Sequence, residues 1–88
     1  MFLHLGMDTM VKQKDIIGIF DLDTATVSKH TRTFLSAAEK SGKVINVTYD
    51  LPKSFIVCES GNNEKIYISQ ISSTTLLKRA NLTNNLKF

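Results

Sequence analysis

The 88-residue sequence contains a single cysteine and a single proline. Because Cys58 stands alone, no disulfide can form within the chain. No apolar run approaches the roughly 20 residues that a membrane-spanning helix needs. The N-terminal segment MFLHLGMD has no basic region and reaches Asp8 early, so we expect no signal peptide. These absences predict a cytoplasmic protein without a membrane segment.

The sequence also lacks the patterns that mark most enzyme and metal sites. It contains no Gly-rich phosphate loop, no nucleophile elbow, and no C-x-x-C or H-x-x-x-H spacing. Its two histidines, His4 and His30, could join Cys58 at a metal only through a favourable fold. We therefore expect no catalytic residues, no metal and no cofactor.

The segment IIGIFDLDT, residues 16–24, is the one apparent exception. Its Asp-x-Asp-x-Thr resembles the opening motif of haloacid-dehalogenase-type phosphatases, with Asp21 as nucleophile and Asp23 as acid. That chemistry needs further carboxylates for Mg²⁺, and the later strands offer only Asp50 and Glu59. We interpret the two aspartates instead as residues before a helix N-terminus, where the helix dipole favours negative charge. The chain is predicted not to be an enzyme.

The charge balance is mildly basic, with 11 basic residues, 8 acidic residues and a net charge of +3. A small lysine excess usually only solubilises a surface. Lys29 and Arg32, however, lie three apart near a predicted helix N-terminus, a place suited to phosphate. The remaining basic positions that we singled out are Lys12, Lys14, Lys53, Lys78 and Arg79.

The pattern of apolar residues predicts an α+β fold: a small single domain with about five short strands, one main helix and a short C-terminal helix. We expect strands near residues 2–5, 15–22, 44–49, 54–58 and 65–69, with local pairing at Met10-Val11. The Ile-rich strand 15–22 should be covered on both faces, with another element close to Gly18. Gly61-Asn62-Asn63 indicates a hairpin turn.

The main helix is predicted over about 28–41. Its buried stripe would consist of Val27, Thr31, Phe34, Leu35 and Ala38. Thr26 or Ser28 could cap its start, and Gly42 suits its end. Ser72 or Ser73 would cap the short C-terminal helix.

The predicted domain covers residues 1–80, and we expect residues 81–88 to form a flexible tail. Phe55-Ile56-Val57 and Ile66-Tyr67-Ile68 place large side chains on both faces of the hairpin. One helix cannot cover both faces, so another copy of the chain could bury the remainder. The sequence thus predicts a homo-oligomer.

Several segments together resemble one family. They are MFLHLG, DIIGIFDLDTATVS, Thr31-Arg32 before Phe34-Leu35, YDLPKSFIV and YISQISSTTLLKR, and they span Met1 to Arg79. The ordered set is similar to the RemA/RemB extracellular matrix regulatory proteins of Gram-positive spore-forming bacteria and their relatives. The resemblance implies a cytoplasmic transcriptional regulator of matrix and biofilm genes, related to a protein that binds DNA as a ring-like oligomer.

The resemblance also bears on individual residues. The RemA branch carries arginines before its second strand and in the loop after the strand that follows the helix. The matching positions here are Asp15, Leu51 and Pro52, while the neighbouring Lys14 and Lys53 keep positive charge. We predict DNA contacts, mainly to phosphate, from Lys53, Lys14, Lys29 and Arg32. The alternative is an assembly partner of a DNA-binding paralogue that makes no direct DNA contact.

Overall fold

The computed structural model describes residues 1–22, 28–48 and 50–84, with side chains described as far as residue 80. These ranges contain six strands, two α-helices and a 3-10 turn at Gln13–Asp15. The predicted α+β class is therefore confirmed, with one strand more than expected. The strands are β1 (Phe2–Gly6), β2 (Thr9–Lys12), β3 (Ile16–Asp21), β4 (Val44–Asn46), β5 (Ser54–Ser60) and β6 (Asn63–Ser69); the helices are α1 (Lys29–Lys40) and α2 (Ser73–Asn84).

A four-stranded sheet in the order β3-β5-β6-β4 forms the centre of the molecule. β5 pairs antiparallel with both β3 and β6, and β4 pairs parallel with β6. β1 and β2 form a separate antiparallel hairpin, which confirms the local pairing expected at Met10-Val11. β4 ends at Asn46, before the predicted 49, although the Val47 amide still donates to the Ile68 carbonyl. Tyr49 lies outside the described residues.

The predicted hairpin is confirmed in β5 and β6. Ser60 pairs with Asn63, and Gly61 adopts a φ of 62° in the tight turn between them. Both faces of β5 are covered: Phe55 and Val57 pack towards α1, and Ile56 and Cys58 pack against the β1–β2 hairpin and α2. The expectation that this hairpin leaves large apolar surface for another copy is wrong, because a second layer covers it.

The two sides of the sheet hold different cores. On one side, α1 packs over a small cluster of Ala38, Phe55, Val57 and Ile66. On the other, the β1–β2 hairpin and α2 close a larger cluster whose buried members are Leu3, Leu5, Val11, Val47, Ile56, Cys58 and Leu76. The β1–β2 hairpin and α2 form a second layer over the sheet. The Ser69 hydroxyl on β6 connects this layer to the sheet by donating a hydrogen bond to the Leu5 carbonyl on β1 at 2.6 Å.

β3 differs from its prediction, because it is an edge strand whose Ile17 and Phe20 are 56% and 43% exposed. The expectation of cover on both faces is wrong. A close approach at Gly18 does exist, since a Cβ there would lie 2.6 Å from the Phe20 ring. The neighbour belongs to the same strand, however, and not to another element.

The main helix is confirmed at Lys29–Lys40, and Gly42 ends it with a φ of 71°. Ala38 is buried, and Leu35 packs partly buried beside it. Phe34 is 38% exposed, so its place in the buried stripe was wrong. The Ser28 side chain makes no capping hydrogen bond, and the positions predicted at Thr26 and Val27 lie outside the described residues.

The C-terminal helix α2 begins after Ser72, which confirms one of the two predicted caps. The Ser72 hydroxyl accepts the Thr75 amide at 3.2 Å and donates to the Thr75 hydroxyl at 2.9 Å. Leu76 and Ala80 are fully buried one helical turn apart. The helix continues to Asn84, into the segment predicted as tail, and residues 85–88 lie outside the described residues.

Candidate nucleic-acid interface

The outer face of α1 carries a row of basic and hydroxyl side chains. Helical residues advance by about 100° each, so Lys29, Ser36 and Lys40 point in nearly the same direction, with Arg32 and Thr33 on either side. Lys29, Arg32, Thr33, Ser36 and Lys40 are all exposed and line one shallow depression. We call these five residues the α1 basic face.

The α1 basic face carries more positive than negative charge. The first turn of α1 contains no acidic residue, and the only carboxylate in the helix is Glu39. Glu39 lies seven residues after Arg32 and about 20° from it around the helix, so this carboxylate borders the Arg32 side of the face. Lys29 and Lys40 stand at the two ends of a surface roughly 16 Å long, with Arg32 between them, and a surface of this length can face several phosphates of a DNA backbone.

Sequence reasoning found two of the three cations on this face. Lys29 and Arg32 were predicted contributors, and the structure places them together on the α1 basic face. Lys40 was missed as a contributor, because a lysine at that position also suits the negative end of the helix dipole. The spacing 29, 36, 40 was the signal that could have found it.

Lys53 lies at the end of the sheet from which the chain leaves for α1. Its amide donates to the Ser69 carbonyl at 2.8 Å, and its own carbonyl accepts the Leu22 amide at 3.0 Å. The backbone is thus held by two strands while the side chain is exposed. Leu51 and Pro52 precede it on an exposed loop, with Leu51 84% exposed.

Lys14 is exposed on the 3-10 turn before β3, at the opposite end of the sheet. β3 runs between the two positions: Ile16 pairs with Cys58, whereas Asp21 pairs with Ser54 next to Lys53. Five residue steps of strand span about 17 Å. The structure therefore does not bring Lys14 and Lys53 into one patch on a single chain.

Asp15 is half-buried and turned towards the larger core. Its negative charge adds to the effect of burial in raising the pKa of the Cys58 thiol to about 11. It also helps raise the pKa of Tyr67 above its ordinary value, after burial and the influence of Cys58. Asp15 thus places a carboxylate near a thiol and a phenol.

The aspartates of the Asp-x-Asp-x-Thr segment do not assemble a metal site in the described structure. Asp21 is half-buried at the end of β3, and Asp23 lies outside the described residues. Within residues 1–22, 28–48 and 50–84, no group of three or more His, Cys, Asp or Glu side chains could hold a metal ion. The geometry adds nothing to a phosphatase hypothesis.

An apolar groove lies between α1 and the edge strand β3. Ile17, Phe20 and Phe34 form its exposed walls, and Phe55 and Val57 form its floor. The rings of Phe20 and Phe55 stack with their centroids 4.9 Å apart. His30, Thr31 and Glu64 border this surface. Sequence reasoning expected exposed apolar surface, but it placed that surface on β5 and β6 instead of β3 and α1.

Comparison with known proteins identifies the family of this chain. Residues 2–80 match the family model of RemA-like proteins, described as extracellular matrix regulatory protein A-like. The chain belongs to this RemA-like family, whose name indicates regulation of the extracellular matrix.

One relative carries a more specific name. The chain is 40% identical over 80 residues to extracellular matrix regulatory protein B of Bacillus subtilis (strain 168), covering 91% of this chain and 90% of that protein. That relative is named as a regulatory protein and not as an enzyme. Neither helix, over the described residues, has the length and apolar character needed to cross a membrane.

Proposed function

We propose that this chain is a non-enzymatic, cytoplasmic and oligomeric transcriptional regulator that associates with DNA and controls genes of the extracellular matrix and biofilm. The α1 basic face is the observation that carries the proposal. It places Lys29, Arg32 and Lys40 on one exposed surface of a protein whose family is named for matrix regulation. DNA is the polyanion that we propose for this surface.

The proposed contacts are mainly to phosphate. Lysine is a point charge without the fork-shaped donor array of arginine, and this surface contains a single arginine, Arg32. Phosphate contacts position a protein on DNA and make its affinity fall steeply with salt. One chain offers few such contacts, so useful affinity requires several copies that act together.

In an oligomer, Lys14 and Lys53 could contribute to the same DNA-binding surface. Lys53 and Lys14 lie at opposite ends of the sheet and do not form one patch on a single chain, and an assembly can bring them together from neighbouring copies. A ring-like or linear array would place Lys53 of one copy near Lys14 of the next. Each junction would then add two cations to the surface that the α1 basic faces provide.

The apolar groove is proposed as one side of the contact between copies, since a ring-like or linear array joins two different surfaces of each chain. Ile17, Phe20 and Phe34 are large, apolar and exposed beside an edge strand, and such a combination is usually covered by another chain. His30 and Glu64 on its border supply groups that can pair across an interface of two copies. Phe34 points away from the α1 basic face, so assembly through the groove leaves that face open.

The assembly is tested with Ile17→Glu, and Leu51→Glu is the matched control. Ile17 is 56% exposed in the groove, whereas Leu51 is 84% exposed on a loop outside it. A buried carboxylate would oppose association, so light scattering should show a smaller mass for Ile17→Glu and the unchanged oligomer for Leu51→Glu. A monomeric parent protein at micromolar concentration would contradict the proposal.

DNA association is tested by mobility shift across a salt series. Lys29→Ala and Arg32→Ala should each weaken binding to all sequences and reduce the salt slope by about 0.9 for each phosphate that the variant no longer neutralises. Lys78→Ala removes the same charge from exposed α2, away from the α1 basic face, and should change binding little. An equal loss of affinity in all three variants would show that only net charge matters.

A second candidate function is an assembly partner that joins a DNA-binding paralogue without touching DNA itself. The positions that match the arginines of the RemA branch favour it, because Leu51 is an exposed apolar residue and Asp15 is a carboxylate. This candidate predicts no mobility shift by the chain alone, even at low salt. It also predicts that Ile17→Glu abolishes co-purification with the paralogue.

A further inference from the structure

A second cavity lies on the sheet face opposite α1, between β2 and the far end of the β5–β6 hairpin. Its volume is about 410 Å³, within the size range of small-molecule sites. The β1–β2 hairpin covers Ile56 and Cys58 but ends before the turn of the β5–β6 hairpin. The cavity is the space that this incomplete cover leaves.

Charges of both signs line the cavity. Lys12 and Lys65 bring ammonium groups from β2 and β6, and Asp15 brings a carboxylate from the 3-10 turn. Within the described ranges, no salt bridge is found at Lys12, Lys65 or Asp15. Opposite charges that share a cavity without contact leave room for a bound molecule that pairs with both.

The remaining walls are uncharged and partly aromatic. Phe2 and Met10 are more than half exposed, and Tyr67 is half-buried beside Cys58. Burial, and after it the nearby Asp15, raise the pKa of the Cys58 thiol; burial, then Cys58 and Asp15, raise the pKa of the Tyr67 phenol, so both groups remain hydrogen-bond donors. The cavity thus combines aromatic surface, a hydroxyl donor, two ammonium groups and one acceptor-only carboxylate.

We propose that this cavity binds a purine nucleotide. Lys12 and Lys65 would hold its phosphate, Phe2 and Tyr67 would contact the planar base, and Asp15 would accept hydrogen bonds from N–H groups of the ring. The two ammonium groups suit a phosphate and the Asp15 carboxylate suits N–H donors, so a ligand that carries both can pair with all three charges. Guanine offers two adjacent N–H donors to a carboxylate, whereas adenine offers only its exocyclic amine.

Titration of the full chain by ¹⁵N–¹H NMR tests the proposal with three probes: GMP, AMP and inorganic phosphate. We expect GMP to shift the amide signals of Val11, Cys58 and Tyr67 saturably, with AMP weaker and phosphate weakest. Shifts confined to α1 would place nucleotide binding on the α1 basic face and overturn the proposal. Equal affinity for GMP and phosphate would overturn the role of the base.

Two variants separate the roles of the lining charges. Asp15→Asn should weaken GMP binding about tenfold, the effect of losing a charge-assisted hydrogen bond, while phosphate binding stays equal or improves. Lys65→Ala should weaken both ligands. Lys78→Ala, on exposed α2, is the matched control and should change neither. Unchanged GMP affinity in Asp15→Asn, with the folded spectrum retained, would refute the proposed contact with the ring.

Discussion

The two faces of the central sheet are built differently. On the α1 side the cluster around Phe55 and Val57 is small, and Ile17, Phe20 and Phe34 stay exposed at its margin. On the other side, the β1–β2 hairpin and α2 cover the sheet, and Leu5, Ile56 and Leu76 are completely buried. β5 contributes to the cores on both faces, because its side chains alternate between the two clusters.

One face of the sheet should therefore matter mainly for folding stability, and the other mainly for the proposed contacts with DNA and other copies. The face covered by the β1–β2 hairpin and α2 holds most of the fully buried side chains, so it should contribute most of the free energy of folding. The α1 side presents both the α1 basic face and the apolar groove, the surfaces proposed to contact DNA and other copies of the chain. Substitutions on the two faces should therefore differ in their effects, and the largest difference is expected in the core.

Ile56→Ala removes a fully buried side chain from the larger cluster. We expect it to lower the free energy of unfolding by about 2–5 kcal/mol, because the cavity it leaves cannot collapse fully. Phe34→Ala, on the 38% exposed margin, should cost less than about 1 kcal/mol. Urea unfolding in dilute solution measures both, and equal losses of stability would refute the comparison.

Ser69→Ala tests the link between the sheet and its second layer. The buried hydroxyl donates to the Leu5 carbonyl at 2.6 Å and accepts the Ile71 amide at 3.0 Å. Its removal takes a hydrogen-bond partner from the buried Leu5 carbonyl and from the part-buried Ile71 amide, and should cost about 1–3 kcal/mol. Ser36→Ala, on the α1 basic face, is the matched control and should stay within about 0.5 kcal/mol of the parent. Thermal unfolding of the two variants decides between these expectations.

The elements that were predicted correctly are those with local signals. Gly42 and Gly61 both adopt positive φ where the sequence placed a helix end and a hairpin turn. The helical spacing of Leu35 and Ala38, and the serine before α2, also act within a few residues. Such signals depend on neighbouring backbone atoms, so they can be read without knowing the rest of the fold.

The predictions that were wrong concern features that depend on contacts between distant segments of the chain. Ile17 and Phe20 look like core residues in sequence, but their exposure follows from the position of β3 at the sheet edge. The separation of Lys14 from Lys53 follows from the antiparallel register of β3 and β5. The cavity beside Asp15 exists because one hairpin ends before another, and no local pattern predicts where that occurs.

The buried face should also respond to alkaline pH through Cys58. Burial raises the pKa of its thiol from an ordinary 9.0 to about 11. The unfolded chain loses this proton first, so the stabilising effect is complete below pH 9 and is lost as the pH rises towards 11. We expect a loss of stability on the order of 1–2 kcal/mol across that window. Unfolding of Cys58→Ala should show a shallower fall, with the remainder due to Tyr67, whose pKa is also raised.

The smallest predicted difference concerns how the two helices begin, one on each side of the sheet. The Ser72 hydroxyl accepts the Thr75 amide at the start of α2, whereas the Ser28 side chain makes no capping hydrogen bond at the start of α1. Ser72→Ala should therefore cost about 1 kcal/mol of stability, and Ser28→Ala only a few tenths. Paired urea titrations of the two variants measure this difference. A cost at Ser28 equal to that at Ser72 would mean that α1 contributes to folding as strongly as α2, and the separation of the two faces would fail.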